Sequence, residues 1–203
     1  SKTDLALAVL KSRKFLTAFV NRHDLKVALF AGDKWNATSG GLVLDNEIYD
    51  VDKKIWNNDE DNEKGKSLEP TDWQAYKLIS SLLVINSGNE RGMVTVSIEF
   101  ISPILAKQWI ELLIFDLNKE MREKDSVEVD RNIQYLKSNL EVTSLADMRT
   151  VLYQLIEEQL KTKMLSQVQK EYIFKTIDPA VVAEEKSKPK RALFVVLGTL
   201  LGS

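Results

Sequence analysis

The chain has 203 residues, of which 44% are apolar, with 28 basic and 30 acidic side chains and a formal net charge of −2. That length fits one domain, or one domain carrying a large elaboration, and the near-neutral balance supplies no field favouring nucleic acid. Cysteine is absent, which excludes a disulfide scaffold and a thiolate metal site.

From Thr3 to about Val20, Leu5, Val9, Leu16 and Phe19 recur at steps of three and four, with Ser12 in register, and predict a helix with one buried face. Leu25 to Ala31 is a short apolar run whose periodicity does not separate strand from helix. Gly32 to Gly41 reads as loop, and Leu42-Val43-Leu44 opens a more ordered piece ending near Trp56. Asn57 to Lys66 is acidic and amide-rich, the composition of a solvated surface loop. Pro70-Thr71-Asp72-Trp73 opens a helix from Trp73 to about Leu82. Leu83 to Asn86 reads as a strand, Ser87 to Gly92 as a turn, and Met93 to Phe100 alternates, with Val94, Val96, Ile98 and Phe100 on one face. Those two runs predict a β-hairpin.

Ser102-Pro103 is a helix start, with serine as cap and proline in the first turn. No proline or glycine follows until Pro179. Apolar residues surround the helix from Ile104 to Leu117, then thin to a seam of Val129, Ile133, Leu136 and Leu140. Thr143-Ser144 followed by Asp147 signals a new helix start, after which Leu145, Met148, Leu152 and Leu155 form a second seam, continued by Ile156, Leu160, Met164, Val168 and Tyr172. Folded about Val142-Thr143, the two seams pair Leu140 with Leu145, Leu136 with Met148, Ile133 with Leu152 and Val129 with Leu155. Farther along, the same register sets Met121 against Met164, Leu117 against Val168 and Leu113 against Tyr172. The expectation is a long projecting antiparallel helical hairpin, each arm roughly 60 Å. A final candidate strand, Phe174 to Val182, contains Asp178-Pro179 and so suits an edge or a bulge.

The C-terminal residues change character. Charged Glu184 to Arg191 gives way to an apolar run from Ala192 to Gly202, shorter than the ~20 residues needed to span a bilayer. It is expected to be the truncated start of a transmembrane helix, with Lys188, Pro189, Lys190 and Arg191 at the membrane junction and Gly198 and Gly202 as a GxxxG pair. By the positive-inside tendency alone, Lys188, Lys190 and Arg191 would face the cytoplasm.

Chemistry-bearing motifs are sparse. His23 is the single histidine and stands in a polar helix end, Asn21-Arg22-His23-Asp24. Asp59 to Gly65 has the wrong residues for a calcium loop, with Lys64 where glycine belongs and Pro70 in place of the bidentate glutamate. No GxxxxGK[ST] phosphate cradle occurs. Trp35, Trp56, Trp73 and Trp109 are scattered and not interleaved with basic residues. No catalytic, cofactor or metal residues are expected.

Trp109 to Arg122 (WIELLIFDLNKEMR), Tyr153 to Glu157 (YQLIE), Phe174 to Ala180 (FKTIDPA) and Pro189 to Leu193 (PKRAL) resemble bacterial polysaccharide chain-length determinants of the Wzz type. The resemblance covers the chain from about Trp73 onward. It implies an α+β fold: a membrane-proximal α/β base with a small mixed sheet, 1–101 together with 173–191, carrying a helical hairpin, 102–172, ahead of a second transmembrane helix that begins in 192–203. It further implies an inner-membrane protein with this domain in the periplasm, placing Lys188 to Arg191 on the periplasmic side. Homo-oligomeric rings, an O-antigen-type polymerase and its lipid-linked glycan are the implied partners, and no catalytic residues carry over. An alternative of another class is the sensing or adaptor region of a capsule or exopolysaccharide export system with a tyrosine autokinase. A third is a periplasmic adaptor whose hairpin docks an outer-membrane channel.

Overall fold

A computed structural model describes residues 2–59, 66–87, 93–169 and 172–182. Among them the chain is α+β, with six helices and three two-stranded antiparallel sheets. The small mixed sheet expected from the sequence is therefore replaced by three separate pairs, β1-β2, β3-β4 and β5-β6. By internal contacts the chain divides into one unit of Ser1–Phe19 with Glu111–Pro179, and a second of Val20–Ile110 with the residues from Ala180 onward.

In the second unit, helix α3 (Lys26–Ala31) leads directly into β1 (Gly32–Asn36), which pairs with β2 (Gly41–Leu44). The loop expected over Gly32 to Gly41 is thus mostly hairpin. The close passage at Gly32 explains its glycine, since a Cβ would lie 2.5 Å from the Ala28 carbonyl oxygen. Asn36 builds the turn: its Oδ1 accepts from the Thr38 and Ser39 N–H groups at 3.0 and 3.2 Å, an Asx turn. Gly40 completes it at φ +67°, a backbone state that glycine enters without steric cost. β3 (Tyr49–Asp50) and β4 (Ile55–Trp56) form a short ladder, with Tyr49 edge-on to Trp56 at 5.2 Å.

Helix α4 (Asp72–Leu82) begins with a capping box. The Gln74 N–H donates to Thr71 Oγ1 at 3.2 Å, and the Thr71 N–H donates to Gln74 Oε1 at 2.8 Å, so two orphan donors are satisfied reciprocally. The chain passes from α4 into β5 (Leu83–Ser87), which pairs with β6 (Val94–Ile98) from Leu83↔Ile98 to Ser87↔Val94. Val94, Val96 and Ile98 are sheltered while Thr95 and Ser97 are exposed, as the alternation predicts. The apolar interior of this unit includes Leu25, Leu29, Ala31, Ala75, Ile79, Ile98 and Trp109. Phe100 packs on Trp109 with ring centroids 4.6 Å apart.

In the first unit the single helix expected from Thr3 to Val20 is two helices, α1 (Lys2–Lys11) and α2 (Arg13–Arg22). Ser12 makes the break: its Oγ accepts from the Phe15 N–H at 3.2 Å, the capping bond of a new helix start. The break also rotates the buried face to Ala6, Val9 and Leu10, then Phe15, Leu16 and Phe19, and leaves Leu5 exposed. Helix α5 (Pro103–Val142) runs 40 residues, about 60 Å. Ser102, buried, opens it by accepting from the Leu105 N–H at 3.3 Å. Leu113, Leu117 and Met121 are fully buried along its inner part.

Helix α6 (Ala146–Val168) is 23 residues, about 35 Å, and so shorter than the arm expected to reach Tyr172. Its cap position is Leu145, without a side-chain cap, where Thr143-Ser144 had been expected to serve. The Thr143 hydroxyl instead donates to the Asn139 carbonyl at 2.7 Å, closing the end of α5. The strand expected from Phe174 to Val182 does not form. Pro179 has no N–H to give a ladder, and the backbone at 172–174 is engaged elsewhere.

Candidate functional site

What engages it is Asn118, a polar side chain 3% exposed on the inner part of α5. Its Oδ1 accepts from the backbone N–H groups of Tyr172, Ile173 and Phe174 at 3.3, 2.9 and 3.0 Å. Its Nδ2 donates to the Phe174 carbonyl at 3.0 Å. Three successive amides converging on one oxygen form a nest, and an oxygen with two lone pairs makes the 3.3 Å contact the weakest of the three. The reverse orientation of the amide would aim donors at donors, so the network fixes which atom points where. A buried amide left unsatisfied would cost about 1–3 kcal/mol; here one side chain closes four bonds.

Around this centre the segment after α6 is held by charge. The Tyr172 hydroxyl donates to Asp125 Oδ2, and Lys2 Nζ of α1 reaches the same oxygen at 2.7 Å. Arg122 donates to the Gln169 carbonyl. Lys2 and Arg122 each lie 5.9 Å from the Tyr172 ring centroid, within cation–π range. Partial burial acts to raise the Asp125 pKa, but the hydrogen bonds from Lys2 and Tyr172 and the Lys2 charge outweigh it, leaving the carboxyl below its ordinary value. Burial, then the bond to Asp125, pushes the Tyr172 phenol up. The hydrogen bond to Asp125 raises Lys2.

Farther along, Lys163 Nζ bonds both Asp130 carboxylate oxygens at 2.6 and 2.8 Å, and Arg149 Nη1 reaches the Leu140 and Thr143 carbonyls at 3.1 and 3.3 Å. These contacts move the register from the expected one. The Leu140 carbonyl accepts from Arg149, and Tyr172 lies against Asn118 and Asp125, several residues beyond Leu113. Of the residues expected in the seam, Ile133 is buried and Val129, Leu136, Leu140 and Leu152 are half-buried, whereas Leu145, Met148 and Leu155 are exposed. Met164 and Val168 are exposed as well. The sheltered line of α6 is Arg149, Leu152, Ile156, Gln159, Lys163 and Ser166, at steps of three and four. Long polar side chains cover apolar surface with their stems while their heads reach water or a partner. The face read from apolar residues coincides with the sheltered line at Leu152 and Ile156 and departs from it at Leu145, Met148 and Leu155, which are exposed while Arg149 and Lys163 are sheltered.

Lys188, Pro189, Lys190, Arg191, Gly198 and Gly202 lie outside the described residues, as does the stretch 192–203. Among the described residues no helix is long and apolar enough to cross a membrane, and no three metal-ligating side chains converge. Beside α5, Lys14, Glu120, Lys124, Glu128 and Arg131 line an open groove of about 650 Å³. Its charges are balanced, Lys14, Lys124 and Arg131 against Glu120, Glu123 and Glu128, with Lys124 3.6 Å from Glu120.

Sequence reading missed Asn118, Asp125 and Tyr172 as a cluster. The available signal was Asn118 itself, a polar residue within the otherwise buried turns Leu113, Leu117 and Met121; buried polar groups are the informative exceptions in a core. No family model, curated protein or solved structure matches the chain.

Proposed function

We propose that the chain is the periplasmic part of a non-enzymatic polysaccharide co-polymerase of the inner membrane, which regulates the chain length of O-antigen or a related surface glycan. In this reading α5 and α6 form a long antiparallel helical hairpin on a membrane-proximal α/β base. Copies pack side by side into a ring, and the ring governs how long a polymerase retains its lipid-linked glycan. No cofactor is required, because the role is one of geometry.

One observation carries the reading. Two stretches of the resemblance, Trp109 to Arg122 and Phe174 to Ala180, are far apart in sequence and are bonded to each other through Asn118 and Phe174. A resemblance arising by chance has no reason to fall on both sides of one buried contact. The length of α5 is a second support, since a rod of about 60 Å gives neighbouring copies an extended surface along which to align.

The test is expression of the full-length protein in a bacterial strain that lacks its own determinant but keeps the polymerase. The expected result is a glycan ladder with a defined modal length on a gel. A ladder with the same random distribution as the empty strain, at normal membrane expression, would reject the proposal.

A further inference from the structure

We infer that residues 172–174 are a latch, a short stretch of chain held on α5 by the Asn118 side chain and able to open while the helices beneath stay folded. The inference is independent of the glycan reading, because it concerns how the chain beyond α6 is fastened.

The geometry supports local opening in three ways. First, its amides at 172, 173 and 174 all converge on the single Asn118 oxygen, and the Phe174 carbonyl takes the Asn118 Nδ2. Helix and strand spread such bonds over many residues, so they are lost gradually; here they depend on one side chain and fail together. Second, the stretch leaves little behind when it lifts. Tyr172, Ile173 and Phe174 are half-buried, and residues 175–179 are exposed, so few apolar contacts resist opening. Third, the surface beneath has its own support: Leu113, Leu117 and Met121 are fully buried in a helix whose backbone bonds do not involve the latch.

Two further contacts tune it. The Tyr172 hydroxyl on Asp125 and the Arg122 guanidinium on the Gln169 carbonyl tie the stretch down on its α6 side. Lys2 bonds the same Asp125 oxygen as Tyr172, so α1, α5 and the latch share one carboxylate. The latch is thus a joint: displacement of the chain beyond Phe174 is transmitted to α5 through Asn118 first, with the Tyr172–Asp125 bond as a second tie.

Hydrogen exchange by NMR on the intact chain tests this, together with the rate of trypsin cleavage after exposed Lys175. In Asn118→Ala, the amides of Tyr172, Ile173 and Phe174 should exchange at least about tenfold faster than in the parent, and cleavage after Lys175 should accelerate by a similar factor. The amides of Leu113 and Leu117 should change by less than about twofold. Tyr172→Phe, which keeps the ring and the fold, should give a smaller increase confined to the same three amides. Unchanged exchange at 172–174 in either variant would overturn the latch. So would equal acceleration at Leu113, since the stretch would then open only with the whole unit. Should Asn118→Ala fail to fold, Tyr172→Phe decides the matter by the same comparison.

Discussion

Lys163 Nζ lies 2.6 Å from Asp130 Oδ1, joining α6 to α5 across 33 residues of sequence. With Arg149 on the Leu140 carbonyl, this bond brackets a stretch of each helix. Within the bracket the buried hydrophobic residue is Ile133 on α5 and Ile156 on α6, 7% and 8% exposed. The polar contacts mark where the two helices lie side by side, and the isoleucines are buried between those contacts.

The ion pair itself should contribute little. Its carboxylate is half exposed to solvent, and exposed pairs are worth about 0.2–1 kcal/mol. A double-mutant cycle of Asp130→Asn and Lys163→Gln, read by urea unfolding, is expected to give a coupling in that range that shrinks in added salt. Zero coupling at low salt would remove the pair as a register contact.

The isoleucines should matter more. Ile133→Ala and Ile156→Ala are each expected to cost about 2–5 kcal/mol. Val168→Ala, at a site 82% exposed, should stay within about 0.5 kcal/mol. Leu155→Ala, one residue from Ile156, is the sharper comparison. A larger loss for Leu155 than for Ile156, in protein dilute enough to be monomeric, would move the sheltered face of α6 from Ile156 to Leu155.

The cluster of Lys2, Asp125 and Tyr172 predicts a stability plateau with two limbs. The Asp125 pKa is lower folded than unfolded, so its contribution is complete above the unfolded value and is lost as pH falls below the ordinary carboxylate range. Tyr172 and Lys2 are raised when folded. Their contributions are complete below the ordinary values of 10.0 and 10.5 and are lost as pH rises through the folded ones. Melting temperature against pH should accordingly lose part of its acid slope in Asp125→Asn and part of its alkaline slope in Tyr172→Phe. An acid limb identical in Asp125→Asn and the parent would show that this carboxylate does not couple to folding.

Local chemistry in the sequence determined much of the element list. Thr71 with Gln74 starts α4, Ser102-Pro103 starts α5, and the alternation from Val94 to Ile98 makes β6; in each case the deciding groups lie within a few residues of one another. Two local signals were present but read otherwise: Ser12 divides the first helix, and the Asn36 turn joins two strands where a loop was expected. That Arg149 and Lys163 share the sheltered face of α6 with Leu152 and Ile156, and where the chain goes after it, were decided only in the tertiary structure. Arg149 and Lys163 shelter their stems by finding acceptors on α5, at Leu140 and Asp130. Residues 172–174 forgo a strand because a distant buried amide offers all three N–H groups an acceptor. A buried donor or acceptor costs too much to leave unpaired, and a partner 56 residues away, as Asn118 is from Phe174, leaves no trace in the local pattern of residues.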